Sequence, residues 1–120
     1  MRVVFPTDEN NGFLSQRGAH FGKAKFYTII TLEKDEIAQV EVIENPGHES
    51  SCGSAINNIM KLNPDALVVS GIGSSPAKGF FNKGLDIYFD KRSPKVEDSI
   101  KLLIAGELEK LGTKGTCSSH

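Results

Sequence analysis

Apolar positions along this chain follow two periods, and the change from one to the other marks its architecture. Residues 2–6 (RVVFP) form a short β-branched run that predicts a first strand, closed by Pro6, which cannot donate a backbone hydrogen bond. Residues 26–32 (FYTIITL) and 37–43 (IAQVEVI) predict two further strands joined by the polar EKDE as a hairpin turn. In the latter, Ala38, Val40 and Val42 share one face while Gln39 and Glu41 share the other, the pattern of a half-exposed strand.

Beyond residue 53 the period lengthens. Residues 54–62 (SAINNIMKL) put Ile56, Ile59 and Met60 on one helical face, and Asn63-Pro64 stops that helix. Residues 66–70 (ALVVS) are a continuous apolar run, as in a strand covered on both sides. Residues 76–83 (PAKGFFNK) predict a short helix between Pro76 and Gly84, and residues 85–90 (LDIYFD) predict a fifth strand with Leu85, Ile87 and Phe89 on one side. After Ser93-Pro94 the stripe Val96, Ile100, Leu103, Ile104, Leu108 and Leu111 predicts a last helix running to Gly112.

The order βββαβαβα constrains the sheet. Right-handed parallel crossovers return strand four beside strand one and strand five beside strand four. The expected fold is thus α/β, with a five-stranded mixed sheet of spatial order 3-2-1-4-5 in which only strand 2 is antiparallel. One domain over residues 1–112, with a polar C-terminal tail 113–120 carrying Cys117 and His120, suits a length of 120 residues and 38% apolar content. A formal charge of −1, with both signs interspersed, argues against a nucleic-acid surface. No stretch reaches the roughly 18 apolar residues of a membrane span, and MRVVFPTDE enters a strand with no signal-peptide pattern, so the expected location is the cytoplasm. There the separated Cys52 and Cys117 read as reduced thiols.

With strands one, three, four and five parallel, the loops 7–25, 44–53, 71–75 and 90–93 leave one edge of the sheet, where open α/β sheets bind ligands. The first carries His20 and Arg17, and the second, ENPGHESSCG, carries His48 and Cys52. Imidazole and thiol are ligands for iron, copper, zinc or a metal-sulfide cluster, although a closed zinc signature is absent. The third, GIGSS, offers Gly71, Gly73 and Ser74 at a helix start whose free N–H groups favour anions; it lacks the P-loop lysine and the dinucleotide fingerprint. A small anion- or nucleotide-binding module built on Gly71–Ser75 is therefore the alternative to a metal site.

Catalytic machinery is not recognisable. There is no G-x-S-x-G elbow, and Asp8, Glu9 and Asp90, carboxylates of the type that hold magnesium, fall near the same edge but do not sit within strand one or four, where rigid positioning is expected. The expected protein is a binder and not an enzyme.

Pro6-Thr7-Asp8 after the first strand, His20-Phe21-Gly22 before the second, Asn45-Pro46 after the third, Gly71-Ile72-Gly73 after the fourth and a helix from Val96 to Gly106 together resemble the dinitrogenase iron-molybdenum cofactor biosynthesis family, whose members include nitrogenase accessory factor-like domains. The resemblance covers nearly the whole chain. It implies a ribonuclease H-like three-layer fold and non-catalytic binding, carriage or storage of an iron-sulfur or molybdenum-iron-sulfur cluster or its precursor. Cluster-assembly or acceptor proteins are the partners it implies, and His20 is the residue it implies as a cluster holder. His48 and Cys52 rest on loop convergence alone.

Overall fold

The computed structural model describes residues 1–9, 12, 25–44, 59–70, 74–91, 93 and 95–111, with residues 74–76 described in their backbone only. The chain runs β1 (Arg2–Thr7), β2 (Phe26–Glu33), β3 (Glu36–Glu44), β4 (Ala66–Val69), α1 (Ser74–Asn82), β5 (Asp86–Phe89), α2 (Val96–Ile104) and β6 (Glu109–Leu111). Ile59 and Met60 are helical as well, and the rest of the helix expected over 54–62 lies outside the described residues.

The sheet has six strands in the order β3-β2-β1-β4-β5-β6. Five of them take the expected places: β2 is antiparallel to both β1 and β3, while β4 is parallel to β1 and β5 to β4. The five-stranded expectation is corrected by β6, which adds antiparallel to the outer side of β5 with Ile87 opposite Leu111.

That strand exists because the last helix is shorter than its stripe. Instead of running to Gly112, α2 ends at Ile104, and Gly106 takes φ +74, a conformation that glycine adopts without Cβ strain. The N–H of Glu107 reaches the carbonyl of Leu102 and that of Gly106 reaches Leu103, the paired bonds of a Schellman stop. Leu108 and Leu111 keep their apolar role on opposite faces of the sheet, where Leu108 packs with the α2 side and Leu111 with the α1 side. A helical stripe and a turn-strand pair placed these two leucines equally well in an apolar setting, so periodicity alone did not separate them. The α1 helix ends the same way: Leu85 N–H bonds to Phe80 C=O, Gly84 N–H to Phe81 C=O, and Gly84 has φ +79.

Pro6 also needs a correction. The strand does not stop there, since Pro6 pairs with Tyr27 and Thr7 with Phe26. Met1 and Leu32 exchange both backbone bonds, at 2.7 and 2.8 Å, which fixes the phase of the β1–β2 ladder. By alternation, Val3, Phe5 and Thr7 bond toward β2, while Arg2, Val4 and Pro6 face β4. The missing N–H of Pro6 is therefore on the β4 side, where the parallel register runs only through Val4 opposite Leu67. Proline closes one ladder and leaves the other intact.

Both faces of the sheet are covered. Val4, Tyr27, Ile29, Leu67, Val69 and Ile87 pack against Ile59, Ala77 and Phe80 on the α1 side. Val3, Phe5, Ile30, Leu32, Ala66 and Val68 pack against Val96 and Ile100 on the α2 side. Every residue of β4 is buried because its alternate side chains enter two cores, as the continuous apolar run predicted. The outermost β3 is exposed or half-buried throughout.

Candidate functional site

The carboxyl ends of the parallel strands define one edge: Thr7 of β1, Glu44 of β3, Val69 of β4 and Phe89 of β5. β1 and β4 are neighbours although the chain visits β2 and β3 between them. This is the switch point at which open sheets of this kind leave a crevice. The connection 8–25 starts there after Thr7, the connection 45–58 starts after Glu44, and α1 begins at Ser74 soon after β4.

Of the residues predicted for the site, His20, His48, Cys52, Gly71 and Gly73 lie outside the described residues, as do Cys117, His120 and the tail 113–120. Ser74 is the first residue of α1, so the helix begins inside GIGSS and not, as expected, at Pro76 after it, and this start lies at the same edge. No acidic residue occupies the first turn of α1, whereas α2 carries Glu97 and Asp98 in its first turn. The positive end of the α2 dipole thus has its own carboxylates, and that of α1 has none from its own first turn.

The α2 side of the edge is closed by matched polar groups. Thr7 and Thr28, both wholly buried, meet hydroxyl to hydroxyl at 3.0 Å, and Thr7 Oγ1 lies 3.4 Å from the carbonyl of Phe26. Asp90, 2% exposed, accepts the Ser99 hydroxyl on Oδ2 at 2.8 Å and the Ser93 N–H on Oδ1 at 3.2 Å. Its own N–H bonds to the carbonyl of Val69 at 2.9 Å. Asp90 was read from the sequence only as a carboxylate near this edge; the structure uses it to tie the start of α2 to the end of β5. Among the described residues no three His, Cys, Asp or Glu side chains are grouped to hold a metal ion.

The α1 side of the same edge differs. Tyr27 has no exposed surface, and among the described residues its Oη has no hydrogen-bond partner. Burial alone pushes its phenol up to about 12, so it stays protonated across the ordinary pH range. Sequence reasoning passed over Tyr27 because an aromatic residue in a strand reads as core, and only the absence of a partner sets it apart. Thr31 Oγ1 on β2 is likewise buried without a partner, but it stands opposite Arg2 and Gln39, toward the other edge. A concavity lined by Glu33, Lys34, Glu36, Ile37 and Ala38 also lies at that far edge, around the β2–β3 turn, and shares nothing with the strand ends described above.

No helix among the described residues is long and apolar enough to cross a membrane. Among known proteins, the chain is similar to the uncharacterized MJ0580 protein of Methanocaldococcus jannaschii, at 28% identity over 113 residues that make up 92% of this chain and 91% of the relative. Of solved structures, PH0822 superposes with a TM-score of 0.79 at 27% identity, covering 91% of this chain and 95% of that one. The apo form of the orange protein from Desulfovibrio gigas superposes with a TM-score of 0.80 and 92% coverage of both chains at 15% identity, which shows a shared fold. The family model described as dinitrogenase iron-molybdenum cofactor matches residues 1–106, the whole span from β1 to the end of α2. Strand order, switch-point edge and sequence agree: the chain belongs to the dinitrogenase iron-molybdenum cofactor family.

Proposed function

We propose that this protein binds and carries an iron-sulfur or molybdenum-iron-sulfur cluster, or a precursor of one, and performs no chemistry on it. The observation that carries the reading is the shared edge: β1 and β3 run parallel, so the connections that contain His20, His48 and Cys52 both start from it, beside the start of α1. In this reading imidazole and thiolate ligate the metals, while α1 backbone N–H groups face the anionic sulfides. The family description, which names the iron-molybdenum cofactor, supports the same cargo. A ribonuclease H-like fold name, a cytoplasmic location and cluster-assembly or acceptor proteins as partners belong to this reading too. Anaerobic reconstitution with iron, sulfide and molybdate tests it: bound metal, acid-labile sulfide and a visible absorption band are expected, and His20→Ala and Cys52→Ala are each expected to lower retention. Unchanged retention in both variants would remove the ligand assignment.

A second reading is favoured by one feature, the carboxylate-free first turn of α1. There the edge takes a phosphate-bearing small molecule on the Gly71–Ser75 segment. Calorimetry against phosphate compounds separates the two, since a cluster carrier releases no heat with them.

A further inference from the structure

We infer that the Tyr27 hydroxyl is a hydrogen-bond donor to the anionic cargo, so that the binding site opens on the α1 face of the carboxyl edge. The inference rests on the cluster reading and deepens it.

An unpaired hydroxyl in a protein interior costs about 1–3 kcal/mol, and nearly all such groups in native structures are paired. Among the described residues the Tyr27 Oη is a buried donor without a partner, and its ring belongs to the apolar cluster on the α1 face of the sheet. Its position along β2 is what connects it to the edge. Tyr27 stands opposite Pro6 on one side and Ile43 on the other, each one residue short of the strand end from which a predicted ligand-bearing connection departs. Pro6 and Tyr27 form a non-hydrogen-bonded pair by the phase of the ladder, the closer of the two cross-strand spacings. On the α2 face of this same edge, by contrast, Thr7, Thr28, Asp90 and Ser99 satisfy one another. The other orphan hydroxyl among the described residues, that of Thr31, is four residues along β2, about 13 Å away in an extended strand, and so belongs to a different place.

The chemistry fits a sulfide-rich anion. A neutral phenol offers one O–H, cluster sulfides are acceptors, and a donated bond adds no charge that would have to be compensated once the edge is closed. Tyr27 is then a binding residue that the ligand alone satisfies.

The test compares wild-type protein with Tyr27→Phe, full chain in both cases, reconstituted anaerobically with ferrous iron, sulfide and molybdate and passed through gel filtration. Metal and sulfide are measured per folded protein, alongside urea unfolding of the unloaded forms. The expected result is a variant at least as stable as wild type when empty but holding its cargo roughly 10-fold or more weakly, the loss of one hydrogen bond to a charged group. Equal retention in the two proteins overturns the inference and leaves the cluster reading standing; a wild type that retains nothing overturns both. Should Tyr27→Phe fail to fold, fluorine resonances of 3-fluorotyrosine-labelled wild type decide instead, with Tyr88→Phe used to assign them. The Tyr27 signal is expected to move on loading, and a signal that stays in place overturns the inference.

Discussion

Ser99 donates its hydroxyl to Asp90 Oδ2 at 2.8 Å, and this contact joins the first turns of α2 to the end of β5 at the edge where ligands are expected. Both residues are buried, so the bond is shielded from water.

Removing that donor is the first prediction. Ser99→Ala takes the hydroxyl donor away from the buried Asp90 Oδ2, a loss of about 1–3 kcal/mol. Urea unfolding is expected to show a lower midpoint at an unchanged slope, and an unchanged midpoint would show the contact to be inert.

Gly106 provides a test whose sign matters more than its size. If α2 ran on through this position, Gly106→Ala would stabilise the protein by about 1 kcal/mol. With φ at +74 the same substitution is instead expected to destabilise by about 1–2 kcal/mol, and since nothing lies within 4 Å of the added Cβ, the whole cost is backbone conformation. Gly106→Asn should lose less than Gly106→Ala, which thermal unfolding of the pair resolves.

The β2–β3 turn uses Lys34 at φ 54 and Asp35 at φ 65, the two left-handed residues of a type I′ hairpin, with neither a glycine nor an asparagine. Replacing the pair by Asn-Gly is expected to raise stability by about 0.5–1 kcal/mol, because the strain at both positions is relieved. A lower melting temperature would contradict the assigned turn.

Alkaline pH should find Tyr27 late. Its folded-state value is raised, from 10.0 to about 12, so the stability it contributes is complete below pH 10 and is lost as pH climbs through about 12. Absorbance at 295 nm, wild type minus Tyr27→Phe, is expected to show its phenolate only near pH 12 or on unfolding. Ionisation near pH 10 in the folded protein would mean that the ring is hydrated.

The order and direction of β1 to β5 were legible in the sequence because they follow from local patterns and handedness: β-branched runs, an apolar run too continuous for a surface strand, and helices long enough for parallel crossovers. So was the convergence of the parallel strand ends, and with it the edge on which His20, His48 and Cys52 were predicted to meet, residues that themselves lie outside the described part of the chain. Tertiary structure decided what two patterns of equal apolar content leave open. Leu108 and Leu111 extend a helical stripe on paper, yet the positive φ of Gly106 turns the chain so that they serve opposite faces, and an edge strand replaces a helical turn. It likewise decided which polar groups are satisfied. Asp90 and Tyr27 both sit in strand-like segments, one noted only as a carboxylate near the ligand edge and the other only as part of the run FYTIITL; packing shows that Asp90 is bonded to Ser93 and Ser99 and that, among the described residues, the Tyr27 hydroxyl is left over. Periodicity reports which face a side chain takes, but hydrogen-bond satisfaction depends on neighbours far away in the chain, and those are set only when the layers close.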